Sequence, residues 1–195
     1  MTLWLRVRRV HACVAVVCAL AVSLLLTGNL ALPIPSLRFG STLALPFAFL
    51  LPLAVAIIVA YALGAGDPRA EAVACRPMRL LDTAYALAVA ALALGACGLL
   101  WVADVSAPAP AAGRNTLGYV GLTLLGRRLV GPHAAPILPV GFVLLTAMFG
   151  VRPGVERDWW AWPLADASDS LSWLFAGALL LLGAAVSLLR SDAYS

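Results

Sequence analysis

The stretch NTLGYVGLTLLGRR, residues 115–128, decides how many times this chain can cross a membrane. It is mostly apolar until it ends at two arginines, Arg127 and Arg128. A spanning helix needs about 20 mostly apolar residues. The segment 115–131 therefore qualifies only if the long arginine side chains extend to the interface and the bilayer thins locally.

The composition of the whole chain is that of an integral membrane protein. Of its 195 residues, 63% are hydrophobic and only 11% are charged. Soluble domains contain about 45–50% apolar and about 25% charged residues, so this chain has too few charges for a water-facing surface. We therefore predict an all-α, polytopic membrane protein in which residues 1–195 form a single transmembrane domain.

Five further segments have the length and composition of spanning helices. With 115–131 they predict six spans, at about 10–32, 43–64, 81–103, 115–131, 133–151 and 171–189. The first segment ends at Pro33 without a clear small-x-small cleavage site, which favours a retained helix over a cleaved signal peptide.

The distribution of arginine predicts the orientation of these spans. All 13 basic residues are arginine, and with six spans and an inner N-terminus nine of them lie inside and four outside. Basic loop residues favour the cytoplasmic side, so we predict that both termini lie inside. Removing the fourth span would reduce the bias to eight against five. The arginine-only basic set and the abundant Ala, Leu, Val and Gly are typical of a high-GC genome, which indicates a bacterial plasma membrane.

The sequence lacks the motifs of the common enzyme and cofactor sites. Because it contains no lysine, it has neither a P-loop nor a Schiff-base lysine. Its four cysteines lack CxxC spacing, and its basic residues form no patch with interleaved aromatics for nucleic acid. Polar residues in the spans lie near their ends: Asn29, Asp82, Asn115 and His133. We therefore predict that the protein is not an enzyme and has no cofactor, metal or catalytic residue.

The segment RDWWAWPL, residues 157–164, concentrates tryptophan on the predicted outer side. Trp159, Trp160 and Trp162 fall within four positions. Indole rings prefer the headgroup level of a bilayer, which favours an aromatic anchor. Two alternatives remain open, namely an outer re-entrant or interfacial gate in a transport path and a ligand platform.

The third predicted span carries a face of small residues at helical spacing. This face consists of Ala84, Ala88, Ala91, Gly95 and Gly98. Small residues let helix backbones approach closely in lipid, so the face predicts helix packing. Packing within the protomer and a dimer interface are both open, and Gly118 and Gly121 predict similar packing in the fourth span.

The inner loop 64–80 is the most informative polar stretch. Asp67-Pro68 is typical of a helix start, which predicts a short helix over RAEAVACR, residues 69–76. The loop is either a solvated hairpin or a docking helix for a soluble subunit. Arg79 precedes Asp82 by three residues, a spacing that puts both on one helix face and predicts either an interfacial ion pair between them or a contact to a cytoplasmic partner.

The order of these features resembles that of ABC-2-type exporter permeases. The local strings GRNTLGYVGLTLLGRRL (113–129), APILPVG (135–141) and WWAWPL (159–164) are similar to small ABC-2-type transporter permease subunits of actinomycetes. The resemblance covers most of the chain in topology, although this chain is short for that family.

The resemblance implies a function and a set of partners. The protein would be the membrane-spanning subunit of an ATP-driven ABC-type exporter, working with a separate P-loop ATPase and with a second copy or a sibling permease in the lipid. The implied ATPase-coupling residues are Arg69, Glu71, Arg76 and Arg79, and the implied outer gate is 156–164 with its three tryptophans. The alternative is a non-transporting membrane interaction or assembly protein of a larger complex.

Overall fold

The protein is mostly helical, as its composition predicts. A computed structural model of the chain describes residues 8–27, 30–36, 41–66, 78–152 and 156–189. The α-helices within these ranges are α1 Val10–Thr27, α2 Phe47–Gly64, α3 Met78–Val102, α4 Ala109–Leu129, α5 Ile137–Phe149 and α6 Ser170–Leu188.

Four of the described helices, α1, α2, α3 and α6, are long and apolar enough to cross a membrane. The helix α5 has 13 residues, a length of about 20 Å, which is shorter than the hydrocarbon core of about 30 Å. The helix α4 has 21 residues and is long enough, but it is less apolar because it carries arginine, asparagine, threonine and glycine. By length and composition, therefore, the described residues support four spans of the six predicted.

A β-hairpin separates α1 from α2, where helix ends were predicted. Strand β1, Ala31–Ser36, pairs antiparallel with strand β2, Ser41–Pro46. The predicted end of the first span at residue 32 and the predicted start of the second at residue 43 are therefore wrong, because α1 ends at Thr27 and α2 begins at Phe47. Pro33 and Pro35 explain the difference, since proline has no N–H for a helical hydrogen bond and is tolerated in edge strands.

The helix α4 lies at the centre of the bundle and packs against α2, α3 and α6. Fourteen of its 21 residues are buried. Its Tyr119 hydroxyl donates a hydrogen bond of 3.2 Å to the carbonyl oxygen of Phe49, one turn before Pro52 in α2. Since neighbouring helices surround α4, its buried polar side chains contact protein instead of lipid: Arg114, Asn115, Thr116 and Thr123.

Two glycines allow α4 and α6 to approach closely. A Cβ atom on Gly121 would lie 2.6 Å from backbone atoms of Leu179, and one on Gly183 would lie 2.5 Å from the carbonyl oxygen of Gly121. Both distances are shorter than normal carbon contacts, so any side chain here would push the helices apart. The prediction that Gly121 is a packing residue is confirmed.

The small-residue face of α3 points away from the bundle. Its residues are exposed or partly exposed: Ala84, Ala88, Ala91, Gly95 and Gly98. A Cβ atom on Gly95 or Gly98 would meet nothing within 4 Å. Packing of this face within the protomer is therefore wrong, because α3 turns its other side, with Ala86, Ala90 and Ala93, into the core. The dimer interface stays a prediction.

Replacing Gly121 by alanine is expected to destabilise the protein by about 1–3 kcal/mol, the usual cost of overpacking a close contact. The measurement is the thermal unfolding midpoint of the purified chain in detergent. Gly95→Ala is the matched control, because it adds the same methyl group to a helix where no atom lies within 4 Å. An unchanged midpoint for Gly121→Ala would contradict the close α4–α6 contact.

Candidate functional site: buried arginine clusters at the two ends of α4

A buried carboxylate joins three segments at one end of the bundle. Asp82, near the start of α3, is only 3% exposed. Its Oδ2 atom accepts hydrogen bonds from Arg8, at 2.9 Å, and from Arg127 near the end of α4, at 2.8 Å. Arg8 also donates to the carbonyl oxygen of Leu63 at the end of α2, at 2.7 Å. We call this the arginine-rich end, defined by Arg8, Arg79, Arg127 and Arg128.

The ion pair predicted between Arg79 and Asp82 is wrong. Asp82 points into the bundle towards Arg8 and Arg127, whereas Arg79 is exposed and donates to the carbonyl oxygen of Leu189 at 3.0 Å. A buried charge is costly unless it is paired, so the interior arginines bind Asp82 more effectively than a neighbour on the exposed side of its own helix. The three-residue spacing between Arg79 and Asp82 in α3 cannot predict that the partners of Asp82 come from other segments, at Arg8 and Arg127.

At the opposite end of α4, Arg114 is completely buried, with 0% exposure. Its guanidinium donates to the Ser172 hydroxyl at 2.6 Å and to the carbonyl oxygens of Asp166 and Ala165, each at 2.9 Å. The neighbouring Asn115 amide donates to the carbonyl oxygen of Pro163 at 3.0 Å. Arg114 and Asn115 therefore hold the segment 163–166 across the start of α6.

The sequence alone did not predict the role of Arg114, which in the six-span arrangement is one of the four arginines assigned to the outer side. The available signal is an Arg–Asn pair inside an otherwise apolar run, and that pattern predicts no partner by itself. The bonded carbonyls come from the short 3₁₀ helix Trp162–Leu164 and the turn after it. Such turns leave backbone oxygens without helical partners, and a guanidinium with its five N–H groups satisfies several at once.

The three clustered tryptophans occupy different environments. Trp162 is 3% exposed and lies against Gly118, where any Cβ atom would collide with its ring. Its ring stacks on Phe142, with 5.8 Å between ring centroids, and lies 6.0 Å from Tyr119. In contrast, Trp159 is 75% exposed and Trp160 is partly exposed. Trp162 is thus a core residue, and Trp159 has the exposure that an interfacial anchor requires.

Two ion pairs shape the rest of this tryptophan-rich end, defined by Trp101, Trp159, Trp162 and Trp173. The buried carboxylate of Asp158 pairs with Arg152, and Asp169 accepts a hydrogen bond of 2.9 Å from Arg157. The Arg157 hydrogen bond is the main cause that lowers the pKa of Asp169. Both pairs fix the chain between α5 and α6.

A cavity of about 240 Å³ lies beside the segment 163–166 that is bonded to Arg114 and Asn115. It is bounded by residues 46–49 at the start of α2, by 107–111 before and in α4, and by 163–167. Asn115 is the polar side chain at its α4 wall. The segment implied as an outer gate therefore borders a largely apolar cavity at this end of the bundle.

Other predicted site residues are distributed as follows. Arg69, Glu71 and Arg76 lie outside the described residues, as does Asn29. Arg79 lies exposed at the arginine-rich end, and His133 is also exposed. Among the described residues, no group of three or more His, Cys, Asp or Glu side chains is arranged to hold a metal. The charged groups buried at the two ends of α4 bind to each other, to backbone carbonyls or to the polar side chains of Ser172 and Asn115.

The fold and the composition together define a helical membrane protein with four clear candidate spans. Comparison with known proteins adds no family: no protein-family model matches the chain, and no curated protein or solved structure gives a significant match.

Asp82→Asn is expected to destabilise the protein by about 3 kcal/mol, since removing one partner of a buried ion pair leaves the other charges uncompensated. The measurement is again the thermal unfolding midpoint in detergent. Asp166→Asn is the control, because its side chain is exposed and only its backbone oxygen binds Arg114. Equal midpoints for the two variants would show that Asp82 does not join the helices as described.

Arg114→Lys keeps the charge but removes the forked guanidinium, and a lysine ammonium cannot reach the same set of oxygens. We expect amide hydrogen exchange over residues 161–165 to become at least about tenfold faster, a loss of about 1.4 kcal/mol of local stability. Arg157→Lys is the control, because it makes the same change at an exposed arginine, and a lysine ammonium can still pair with Asp169. Unchanged exchange in Arg114→Lys would mean that packing of Trp162 alone holds the segment.

Proposed function

We propose that the protein is the membrane-spanning permease subunit of an ATP-driven, ABC-2-type exporter, working with a separate ATPase. The observation that supports this most is the buried helix α4, which is bonded through arginines at both of its ends. Its 21 residues extend about 31 Å, close to the hydrocarbon thickness of about 30 Å. A helix held in this way transmits a displacement from one face of a membrane to the other.

The proposal includes six spans with both termini inside. It is supported by the alternation of the helices: the segment before α1 and the start of α3 meet the ends of α2, α4 and α6 at the arginine-rich end. An excess of arginine favours the cytoplasmic side. In this arrangement α4 crosses the membrane inside the bundle, surrounded by other helices instead of lipid. The short helix α5 spans the membrane together with the turns at 132–136 that precede it.

The arginine-rich end is where an ATPase acts in this proposal. The inner loop 64–80, with Arg69, Glu71, Arg76 and Arg79 as coupling residues, connects α2 to α3. Its two flanks are bonded to the N-terminal segment and to α4, through the Leu63 carbonyl and the Asp82 carboxylate. A displacement of the loop is therefore transmitted to α4 through the hydrogen bond between Asp82 and Arg127. The energy comes from a partner, because a chain without lysine has no P-loop.

The outer part of the transport path is the cavity bounded by residues 163–167 in this proposal. Trp159, Trp160 and Trp162 belong to the outer gate, and Trp162 links that gate to Gly118 of α4. A shift of α4 along its axis would move the oxygens bonded to Arg114 and change the cavity. The largely apolar lining suits a hydrophobic or amphipathic cargo.

A second candidate is a non-transporting membrane interaction or assembly protein. Two observations favour it. The buried polar groups at both ends of α4 are bonded within the protein, as structural residues are. In addition, the exposed small-residue face of α3 is suited to close contact with another membrane helix.

Co-purification distinguishes the two candidates. The tagged full chain is extracted in mild detergent from its native host, and the bound proteins are identified by mass spectrometry. We expect a stoichiometric P-loop ATPase. The triple variant Arg69→Ala, Glu71→Ala and Arg76→Ala is expected to reduce its recovery at least about tenfold, because each coupling contact contributes about 1 kcal/mol or more.

The control for this experiment is Arg157→Ala on the predicted outer side, which should leave ATPase recovery unchanged. Recovery of the chain alone, or of a different membrane complex, would favour the interaction protein. Labelling with a membrane-impermeant maleimide checks the orientation: Cys75 should react only in inside-out vesicles, and an introduced cysteine at the exposed Ser168 only in intact cells. Labelling of Cys75 in intact cells would contradict the coupling loop.

A further inference from the structure

A polar cavity of about 160 Å³ lies at the arginine-rich end, between the start of α3 and the ends of α4 and α6. The residues that line it are Arg79, Thr83, Leu124, Arg127, Arg128, Ser187 and Leu189. This volume is several times the roughly 30 Å³ that a water molecule occupies in the liquid. Three guanidinium groups from two different helices therefore border one small space.

The charge of this cavity is positive. Arg127 is paired with Asp82, and the described residues that line the cavity include three arginines and no acidic side chain. Arg79 donates one N–H group to a neutral partner, the Leu189 carbonyl oxygen. Arg128 is exposed beside them. A guanidinium has five N–H donors, so the arginines retain charge and donors for an anionic ligand.

The hydroxyl groups of the cavity are hydrogen-bonded within the protein. Thr83 and Ser187 lie 2.6 Å apart, which links α3 to α6. The Thr83 hydroxyl is also bonded to the carbonyl oxygen of Arg79, at 2.8 Å, and the Ser187 hydroxyl to that of Ala184, at 2.7 Å. Because these hydroxyl protons are shared within the protein, the arginines are the donors available to a ligand. The ligand is therefore a compact group that accepts hydrogen bonds and carries negative charge.

We propose that this cavity binds the phosphate group of an anionic phospholipid. The cavity lies between the start of α3 and the ends of α4 and α6. Leu124 and Leu189 form its apolar side. Phosphate accepts paired hydrogen bonds from guanidinium groups, and basic pockets between membrane helices hold lipid headgroups on the cytoplasmic side. A phosphate here contacts α3 and α4 directly and lies beside the end of α6, so the lipid holds the three helices together at this end.

The site does not depend on the exporter proposal. It requires only that the bundle lies in a bilayer with the arginine-rich end at the headgroups of a leaflet that contains anionic lipid. Even counting every residue of the chain, the predicted inner side has nine arginines against four acidic residues. The source of the phosphate, a lipid headgroup or a free ion, is a separate question that the experiment resolves.

The experiment measures lipid binding to the purified full chain in detergent by native mass spectrometry. The chain is titrated with phosphatidylglycerol, with zwitterionic phosphatidylcholine, and with phosphatidylglycerol in the presence of millimolar inorganic phosphate. We expect preferential binding of phosphatidylglycerol that inorganic phosphate does not displace. Arg128→Gln and Arg79→Gln are expected to weaken this binding about fivefold or more each.

The matched control is Arg9→Gln, which removes the same charge from an exposed arginine that lines a different cavity. Its lipid binding should equal that of the unaltered chain. Arg128 is exposed, so its replacement leaves the fold intact and keeps the test informative even if Arg79→Gln is unstable. Unaltered binding in Arg128→Gln, or an equal loss in Arg9→Gln, would overturn the site, and displacement by inorganic phosphate would overturn its assignment to a lipid.

Discussion

The carboxylate of Asp82 is the interaction on which the arrangement of the helices depends most. A single buried oxygen atom accepts hydrogen bonds from Arg8, ahead of α1, and from Arg127, near the end of α4. In a low-dielectric interior an uncompensated charge costs far more free energy than a lost apolar contact. Separating these segments would therefore destabilise the protein strongly. The start of α3 is thereby joined to the segment before α1 and to the last turn of α4.

The helix α4 can carry arginine, asparagine and threonine because other helices enclose it. Gly121 and Gly183 allow its backbone to approach α6 closely, and Gly118 leaves room for the ring of Trp162. At its other end Arg114 donates to the carbonyl oxygens of Ala165 and Asp166 in the turn before α6, and Ala165 is buried. The polarity that makes α4 a weak candidate span in sequence is thus what joins it to the rest of the bundle.

The sequence predicts the helical character of the chain well and its contacts poorly. Apolar length alone identifies α1, α2, α3 and α6, because a long apolar helix needs no tertiary information to be recognised. The hairpin around Pro33 escapes such reasoning, since apolar composition does not distinguish a strand from a helix end. The small-residue face of α3 is visible as a pattern, but the pattern does not reveal whether it turns inwards or outwards. Asp82 and Arg114 bind residues more than 40 positions away, which no local spacing encodes.

The enclosed position of α4 also bears on how the chain is made. In the six-span arrangement proposed here, a nascent helix with Arg114 and Asn115 near one end and Arg127 and Arg128 near the other partitions poorly into lipid by itself. The partners of Arg114 become available only when α6 is synthesised, because Ser172 and the carbonyl oxygens of Ala165 and Asp166 come later in the chain. Most of the chain therefore has to leave the ribosome before the Arg114 end of α4 forms its final contacts. Until then, α2 and α3 shield α4 from lipid, because both helices precede it and pack against it.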